Sequence, residues 1–317
     1  MTPCNPAQQR VRDHLLAVAT PRPRTDPTLA GRLRRELTER TTAAAALVPA
    51  AERGLYLNKT ALDALACDGR FLDRLVQPFT WTAANVVGQV AHAAIAVDLA
   101  GDRRHPPRVV VDHAWREFTA SGRAAARFVA GLTGPEADAL RAEATAFVTE
   151  FRALFPPLPP DWHPRTEPEL RVTLHHGAVV LLGRPDLVIG RPTPDRRRML
   201  LLDLKSGRRQ VERDRAEACF YALLATLKYG VAPFRVATFY LAEGDWDHLD
   251  VDEDLLTATV RDTAAKVDRA AELLHARPAE DDLRLVAGPG CAWCSRAPGC
   301  PAAGGQGRRR LVETVPP

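Results

Sequence analysis

Two acids and a lysine fall close together in Gly183-Arg184-Pro185-Asp186 and, a little further on, Leu200-Leu201-Leu202-Asp203-Leu204-Lys205. Asp203 and Lys205 are two positions apart, so on a strand they share a face. An acid inside an apolar strand is costly unless it is paired or binds a metal. Carboxylates suit Mg²⁺ or Mn²⁺. Such a metal lowers the pKa of a bound water, and a neighbouring amine can orient that water or help deprotonate it. Only four of the 43 basic residues are lysine (Lys59, Lys205, Lys228 and Lys266), so a lysine here points to a need for a compact, tunable amine. Taken alone, Asp-x-Lys is a common tripeptide, and a salt-bridged strand end is the plain alternative.

The elements that would position these groups can be read on either side. Val179 to Ile189 is apolar and β-branched, closed by the turn Gly190-Arg-Pro-Thr-Pro-Asp195, and Met199 to Leu204 is a second short apolar run. Two such runs with a short link predict a hairpin, which brings Asp186 towards Asp203. Glu169 to Leu174 supplies a first strand, Arg213 to Tyr229 a helix, Phe234 to Leu241 another strand and Asp252 to Ala276 a long helix. That order predicts an α/β core, a central mixed sheet flanked by helices.

Upstream, Leu55 to Leu75 reads as a helix capped by Asn58 or Thr60, and Thr80 to Leu99 as a buried helix that is apolar nearly all round. Gly88 and His92 lie one turn apart on its face. A glycine there costs about 1 kcal/mol relative to alanine and marks a close approach. His92 reads either as a hydrogen-bonded core histidine or as a nitrogen ligand beside that face. Val109–Val129 and Pro135–Leu154 predict a helical insertion over about residues 100–160, closed by a stiff Pro-rich connector after Phe155.

The expected boundaries are a helical extension over 1–50, with a helix from Leu29 to Leu47, a main domain over 51–305 and a tail over 306–317. The net charge of +4 says little, but residues 183–215 hold ten Lys/Arg against five Asp/Glu. That excess predicts a phosphate-binding surface around the acids, with a solvated strand edge as the alternative for Arg196-Arg197-Arg198. Met1 to Arg10 has no apolar signal region and no run reads as long enough to span a membrane, so a cytoplasmic chain with reduced cysteines and no membrane partner is expected. Three of the six cysteines cluster in Cys291-Ala-Trp-Cys294-Ser-Arg-Ala-Pro-Gly-Cys300, with a metal-ligand spacing. Three thiolates call for a fourth ligand from Cys4, Cys67 or Cys219. Spacing does not separate a zinc site from an iron–sulfur cluster, and a disulfide would leave one cysteine over.

In this order the pieces resemble the RecB-like branch of the PD-(D/E)XK nuclease superfamily, in particular its iron–sulfur, four-cysteine members, over about residues 55–302. The family's Gly-x-x-x-His element matches Gly88 to His92, its Gly-x-x-Asp strand Gly183 to Asp186, and its Asp-x-Lys motif Asp203 to Lys205. Its split cysteines match Cys67 with Cys291, Cys294 and Cys300, the early one following a lead-in like Leu57 to Leu62. The resemblance implies a metal-dependent DNA nuclease, an exonuclease on single-stranded or end-containing DNA, serving repair, recombination, or CRISPR and phage defence. It implies His92, Asp186, Asp203 and the Leu204 carbonyl as ligands of Mg²⁺ or Mn²⁺, Lys205 positioning the attacking water, and Glu169 as an outer acid. A 4Fe–4S cluster, with zinc as its rival, would sit on the four cysteines; the positions of Glu217, Tyr221, Arg208 and Arg209 would meet DNA. The implied partners are DNA and a helicase or CRISPR-associated proteins. One position departs from the pattern: where the family has Gln-x-x-x-Tyr, this chain has Glu217 to Tyr221. A glutamate there repels phosphate, so it binds a second metal, pairs with an arginine, or the strand is gripped differently. The alternative function is a weak or inactive nuclease-fold subunit that binds DNA.

Overall fold

The computed structural model describes residues 4–49, 54–77, 79–101, 103–122 and 124–303. Its strands are β1 (Leu55–Asn58), β2 (Arg165–Thr166), β3 (Leu170–Leu174), β4 (Val179–Gly183), β5 (Leu187–Ile189), β6 (Leu200–Lys205), β7 (Arg235–Tyr240) and β8 (Asp245–Asp250). The chain forms two compact units, interleaved in sequence. One takes residues up to Gly31, Thr80–Leu170 and Arg184–Leu256; the other takes Arg32–Phe79, Arg171–Gly183 and Thr257 onward.

The first unit is built on a five-stranded sheet in the order β2-β5-β6-β7-β8. β6 and β7 are parallel and the other neighbours antiparallel, so the sheet is mixed. Five of the six residues of β6 and all six of β7 are buried, which suits their continuous apolar runs. Parallel neighbours need a crossover, here the helix Val211–Tyr229. The expected hairpin is β5–β6, with Leu187 opposite Leu202 and Ile189 opposite Leu200. Its turn depends on Gly190 at φ +96°, where a Cβ would fall 2.2 Å from the Arg198 carbonyl oxygen.

The helices read as an insertion belong to the core. Val111, Ala144 and Phe151 share one apolar cluster with Val90, Leu187, Leu202 and Phe239. The helix Ala83–Ala100 begins at Thr82, whose hydroxyl accepts from the Asn85 N–H at 3.3 Å. By length and composition it is apolar enough to cross a membrane, contrary to the sequence reading, yet Val86, Val90, Ala91 and Ala94 are each at most 0 % exposed in the core.

The second unit carries a three-stranded sheet in the order β1-β4-β3, with Leu55 opposite Val179 in a parallel pair. Several expectations change here. Val179 to Ile189 is not one strand: β4 and β5 join different sheets. Pro185 interrupts the run because it has no N–H for a ladder. Leu55 to Leu75 is not one helix but β1 followed by the helices Lys59–Ala64 and Asp68–Val76. Alternating burial along β1 marks it as a strand, and Asn58 caps the helix after it. The strand after Glu169 pairs in this second sheet, outside the sheet that carries Asp203. Residues 1–50 do not form one extension: the chain up to Gly31 groups with the first unit and the rest with the second. The helix expected over Leu29–Leu47 is two, Leu29–Arg40 and Thr42–Leu47, divided at buried Thr41, whose hydroxyl donates to the Leu37 carbonyl at 2.8 Å. The expected tail over 306–317 lies outside the described residues.

Candidate active site

Continuing the β5–β6 register by one step sets Asp186 opposite Asp203. Asp186 stands just ahead of β5, and its two oxygens have different tasks. Oδ2 accepts the Leu204 N–H at 2.6 Å, and Oδ1 lies 3.0 Å from His92 Nδ1. The Leu204 amide thus fixes Asp186. His92 comes from the helix Ala83–Ala100, and Gly88 one turn earlier lets that helix close on the end of β6. A Cβ on Gly88 would lie 3.2 Å from Ser206 Oγ, so the close approach expected of this glycine is present.

Asp203 is 3 % exposed. Its Oδ2 lies 2.6 Å from Lys205 Nζ, as the shared strand face requires. Lys205 also donates to Glu217 Oε2 at 2.9 Å, while Tyr221 donates its hydroxyl to Glu217 Oε1 at 3.1 Å. The amine is thus held between two carboxylates. Burial alone would lower its pKa; Asp203 and Glu217 outweigh that and raise it well above the ordinary lysine range. The two carboxylates thus favour the charged form of the amine. Burial, then Asp203, Glu217 and Asp186, likewise push the Tyr221 hydroxyl far up, so it remains a neutral donor. Burial draws His92 down, but the charge and hydrogen bond of Asp186, with help from Asp203, leave it raised overall.

The departure at Glu217 thus has an outcome that none of the three expectations named: the glutamate pairs with the motif lysine itself. Tyr221, at 2 % exposure, is too buried to stack on a nucleic acid. Arg209 is committed as well. Its Nη1 reaches Asp245 at 3.0 Å and Glu243 at 3.5 Å, and its guanidinium lies over the Tyr240 ring. Arg208 is exposed. Glu169 contributes its carbonyl oxygen, which accepts from Lys228 Nζ.

Among the described residues, no three His, Cys, Asp or Glu side chains already stand round one point as a metal-holding group. The donor chemistry nevertheless fits a hard divalent cation: one imidazole and two acids, with His92 Nδ1 and Asp186 Oδ1 3.0 Å apart.

The cysteines behave consistently within the second unit. Cys67, Cys291, Cys294 and Cys300 all line one cavity of about 420 Å³, which includes neither Cys4 nor Cys219, and no disulfide joins the described cysteines. Cys67 is the N-cap of the helix Asp68–Val76, and its sulfur accepts the Val286 N–H at 3.5 Å. Burial, helped by Asp73, Cys67 and Cys291 and opposed by the Arg296 amide, pushes the Cys294 thiol up. The four thiols share the lining of this cavity without standing round one point as a metal-holding group.

Two acids that sequence reasoning missed hold the walls of this cavity. Asp68, at 0 % exposure, accepts from the Arg284 N–H at 2.6 Å and from Arg269 Nε at 3.1 Å. Asp73 accepts from the Ser295 amide at 3.2 Å and from the Ser295 hydroxyl. Their signal was the helix that starts directly after Cys67, which carries both acids in its first two turns.

A model of the PD-(D/E)XK nuclease superfamily matches residues 63–301, and the chain belongs to that superfamily. Nuclease chemistry is the class of function it carries, and Mg²⁺ or Mn²⁺ is the usual cofactor of such enzymes. A comparison with curated proteins finds no match. Among solved structures, that of SSO0001 is similar at 14% identity and a TM-score of 0.32, covering 86% of this chain and 94% of that one.

Proposed function

We propose that the chain is a Mg²⁺- or Mn²⁺-dependent deoxyribonuclease of the RecB-like, iron–sulfur branch, acting as an exonuclease on single-stranded or end-containing DNA. The observation that carries this reading is the meeting of Asp186, Asp203, Lys205 and His92 at one end of the β5–β6 hairpin. His92, Asp186 and Asp203 would hold the ion, with the Leu204 carbonyl as a further donor. When bound, the ion lowers the pKa of an attacking water and offsets charge on the scissile phosphate. Lys205, held protonated, orients that water or the phosphate oxygen by donation and offsets developing negative charge. Leu204 N–H fixes Asp186, and Glu217 with Tyr221 fixes the amine. The four cysteines would carry a structural 4Fe–4S cluster, with zinc as the rival, and the iron and zinc content of anaerobically purified protein decides between them. On this reading the protein works in the cytoplasm with a helicase or CRISPR-associated proteins, in repair, recombination or phage defence.

One observation favours a second reading, a weak or inactive nuclease-fold subunit that binds DNA. Glu217 takes up much of the charge that Lys205 would offer to a phosphate. Incubating end-labelled single-stranded DNA with Mn²⁺ separates the two. Wild type should release short products and Asp203→Asn should not; equal inertness of both, with DNA still bound, would favour the second reading.

A further inference from the structure

Part of the basic excess of residues 183–215 lies away from Asp186 and Asp203. Arg191 and Arg196 to Arg198 occupy the turn of the β5–β6 hairpin, whereas Asp203 and Lys205 lie at the other end of β6. A six-residue strand puts these ends about 17 Å apart. At the turn lies a cavity of about 430 Å³ within the first unit. Its floor is apolar and aromatic, with Leu16, Ile189, Leu200, Phe234 and Trp162. Arg22, Arg191 and Arg198, with His163 and one acid, Asp161, supply its polar rim.

The walls are firmly built. Arg22 lies 3.9 Å over the Phe234 ring, and its guanidinium donates to the carbonyls of Leu16 at 2.8 Å and Ala17 at 2.9 Å. The segment that carries it is tied to the turn, with the Arg197 N–H on the Pro23 carbonyl at 2.9 Å and Thr25 Oγ1 on the Thr193 carbonyl at 3.2 Å. Trp162 is fixed by its carbonyl, which accepts the Gly190 N–H at 2.7 Å. The guanidinium of Arg22 is half-buried close to two like charges: burial, then Arg235 and Arg198, pull its pKa down. A cation so placed gains from an anion beside it.

We propose that this cavity is a nucleotide-binding subsite separate from the candidate active site, taking a base against the partly exposed Trp162 and a phosphate against Arg22, Arg191 and Arg198, with Phe234 buried beneath Arg22. The volume lies within the range of small-ligand pockets. Aromatic faces stack on any base, and arginines clamp phosphate by paired donation. The same chemistry serves a free nucleoside monophosphate or the 5′-phosphorylated end of a strand. The inference does not depend on the nuclease reading.

Calorimetric titration of the full chain in EDTA tests it, with deoxyadenosine 5′-monophosphate, deoxyadenosine and inorganic phosphate as probes. Saturable binding of the nucleotide is expected, at least tenfold tighter than either fragment. Arg191 and Arg198 are exposed, so Arg191→Ser with Arg198→Ser should keep the fold and weaken the nucleotide at least tenfold; Trp162→Leu should weaken it similarly. Asp203→Asn should bind as wild type. Displacement of the nucleotide by a 5′-phosphorylated oligonucleotide, and not by its 5′-hydroxyl form, identifies a strand end as the natural occupant; no displacement by either identifies a free nucleotide. The proposal is overturned by absence of saturation, by equal binding of deoxyadenosine or phosphate alone, or by loss of binding in Asp203→Asn with retention in the arginine pair.

Discussion

The acidic site of the first unit and the cysteine cavity of the second solve the same problem differently. Both collect groups that repel one another or resist burial. At the acidic site the chain supplies the compensation itself: Lys205 sits between Asp203 and Glu217, His92 beside Asp186. At the cysteine cavity the compensation sits one layer back. The thiols line the space, while Asp68 and Asp73 pin the segments that bear them. The first arrangement is stable as it stands and is poised by charge. The second has its walls set by acids around a thiol-lined space; under the proposed function, a soft ligand bound there would add folding energy.

The largest expected effect comes from breaking the first arrangement. Asp203→Asn or Lys205→Met should reduce DNA cleavage by about 10²–10³-fold or more. Circular dichroism should stay native. Asp203→Asn should also weaken Mn²⁺ binding, whereas Lys205→Met should not. Cleavage at the wild-type rate in either variant would show that the reacting groups lie elsewhere.

Next is the centre of the second arrangement. Cys67→Ser should lose its iron or zinc and lower Tm as far as Cys294→Ser does, by several kcal/mol of folding energy. Cys219→Ser and Cys4→Ser should keep the metal, since neither lines the cavity. Metal analysis beside thermal melts of the four variants checks this; full retention in Cys67→Ser would falsify the assignment of the fourth thiol.

The walls should matter somewhat less than the centre. Asp68→Ala strips the carboxylate from Arg269 and leaves the Arg284 amide without its acceptor. Removing one partner of a buried ion pair costs about 3 kcal/mol. Chemical denaturation should show that loss with metal still bound at saturating concentration, while a loss under 1 kcal/mol, roughly the value of a surface pair, would mean the clamp is not needed.

Much of this was legible in the sequence because spacing maps directly onto geometry. Asp203 and Lys205 share a face because strands alternate, and the hairpin turn at Gly190 sets Asp186 opposite. The cysteine set followed from its family-like order. What stayed hidden depends on partners distant in the chain. β8 reads Asp245-Trp-Asp-His-Leu-Asp250, too acidic to suggest a strand, because Arg209, Arg215 and Arg235 supply its counter-charges. β1 is four residues long, too short for its alternation to outweigh the helical run after it. The charge count along 183–215 was sound, yet one strand's length separates its parts, and no linear count shows which end of a hairpin a residue occupies.

The smallest expected effect sharpens the account of Lys205. Glu217→Gln removes one of two carboxylates on the amine and leaves Asp203 at 2.6 Å. The pairing of Lys205 raises its folded pKa, so the stability it contributes is fully present below the unfolded lysine value of about 10.4 and is lost as pH rises through the higher folded value. With Glu217 neutral, the folded value falls, so the alkaline limb of Tm against pH should move to lower pH. Near pH 7 the amine stays charged in both proteins, so the change in stability there should be within about 1 kcal/mol. Both Glu217 oxygens are already engaged, by Lys205 and Tyr221, so the dependence of cleavage on Mn²⁺ should not change. DNA affinity should rise severalfold, because one negative charge leaves the surroundings of the lysine. Lower activity with a shifted Mn²⁺ requirement would instead make Glu217 a metal ligand. An unmoved alkaline limb would mean that Asp203 alone sets the charge on Lys205.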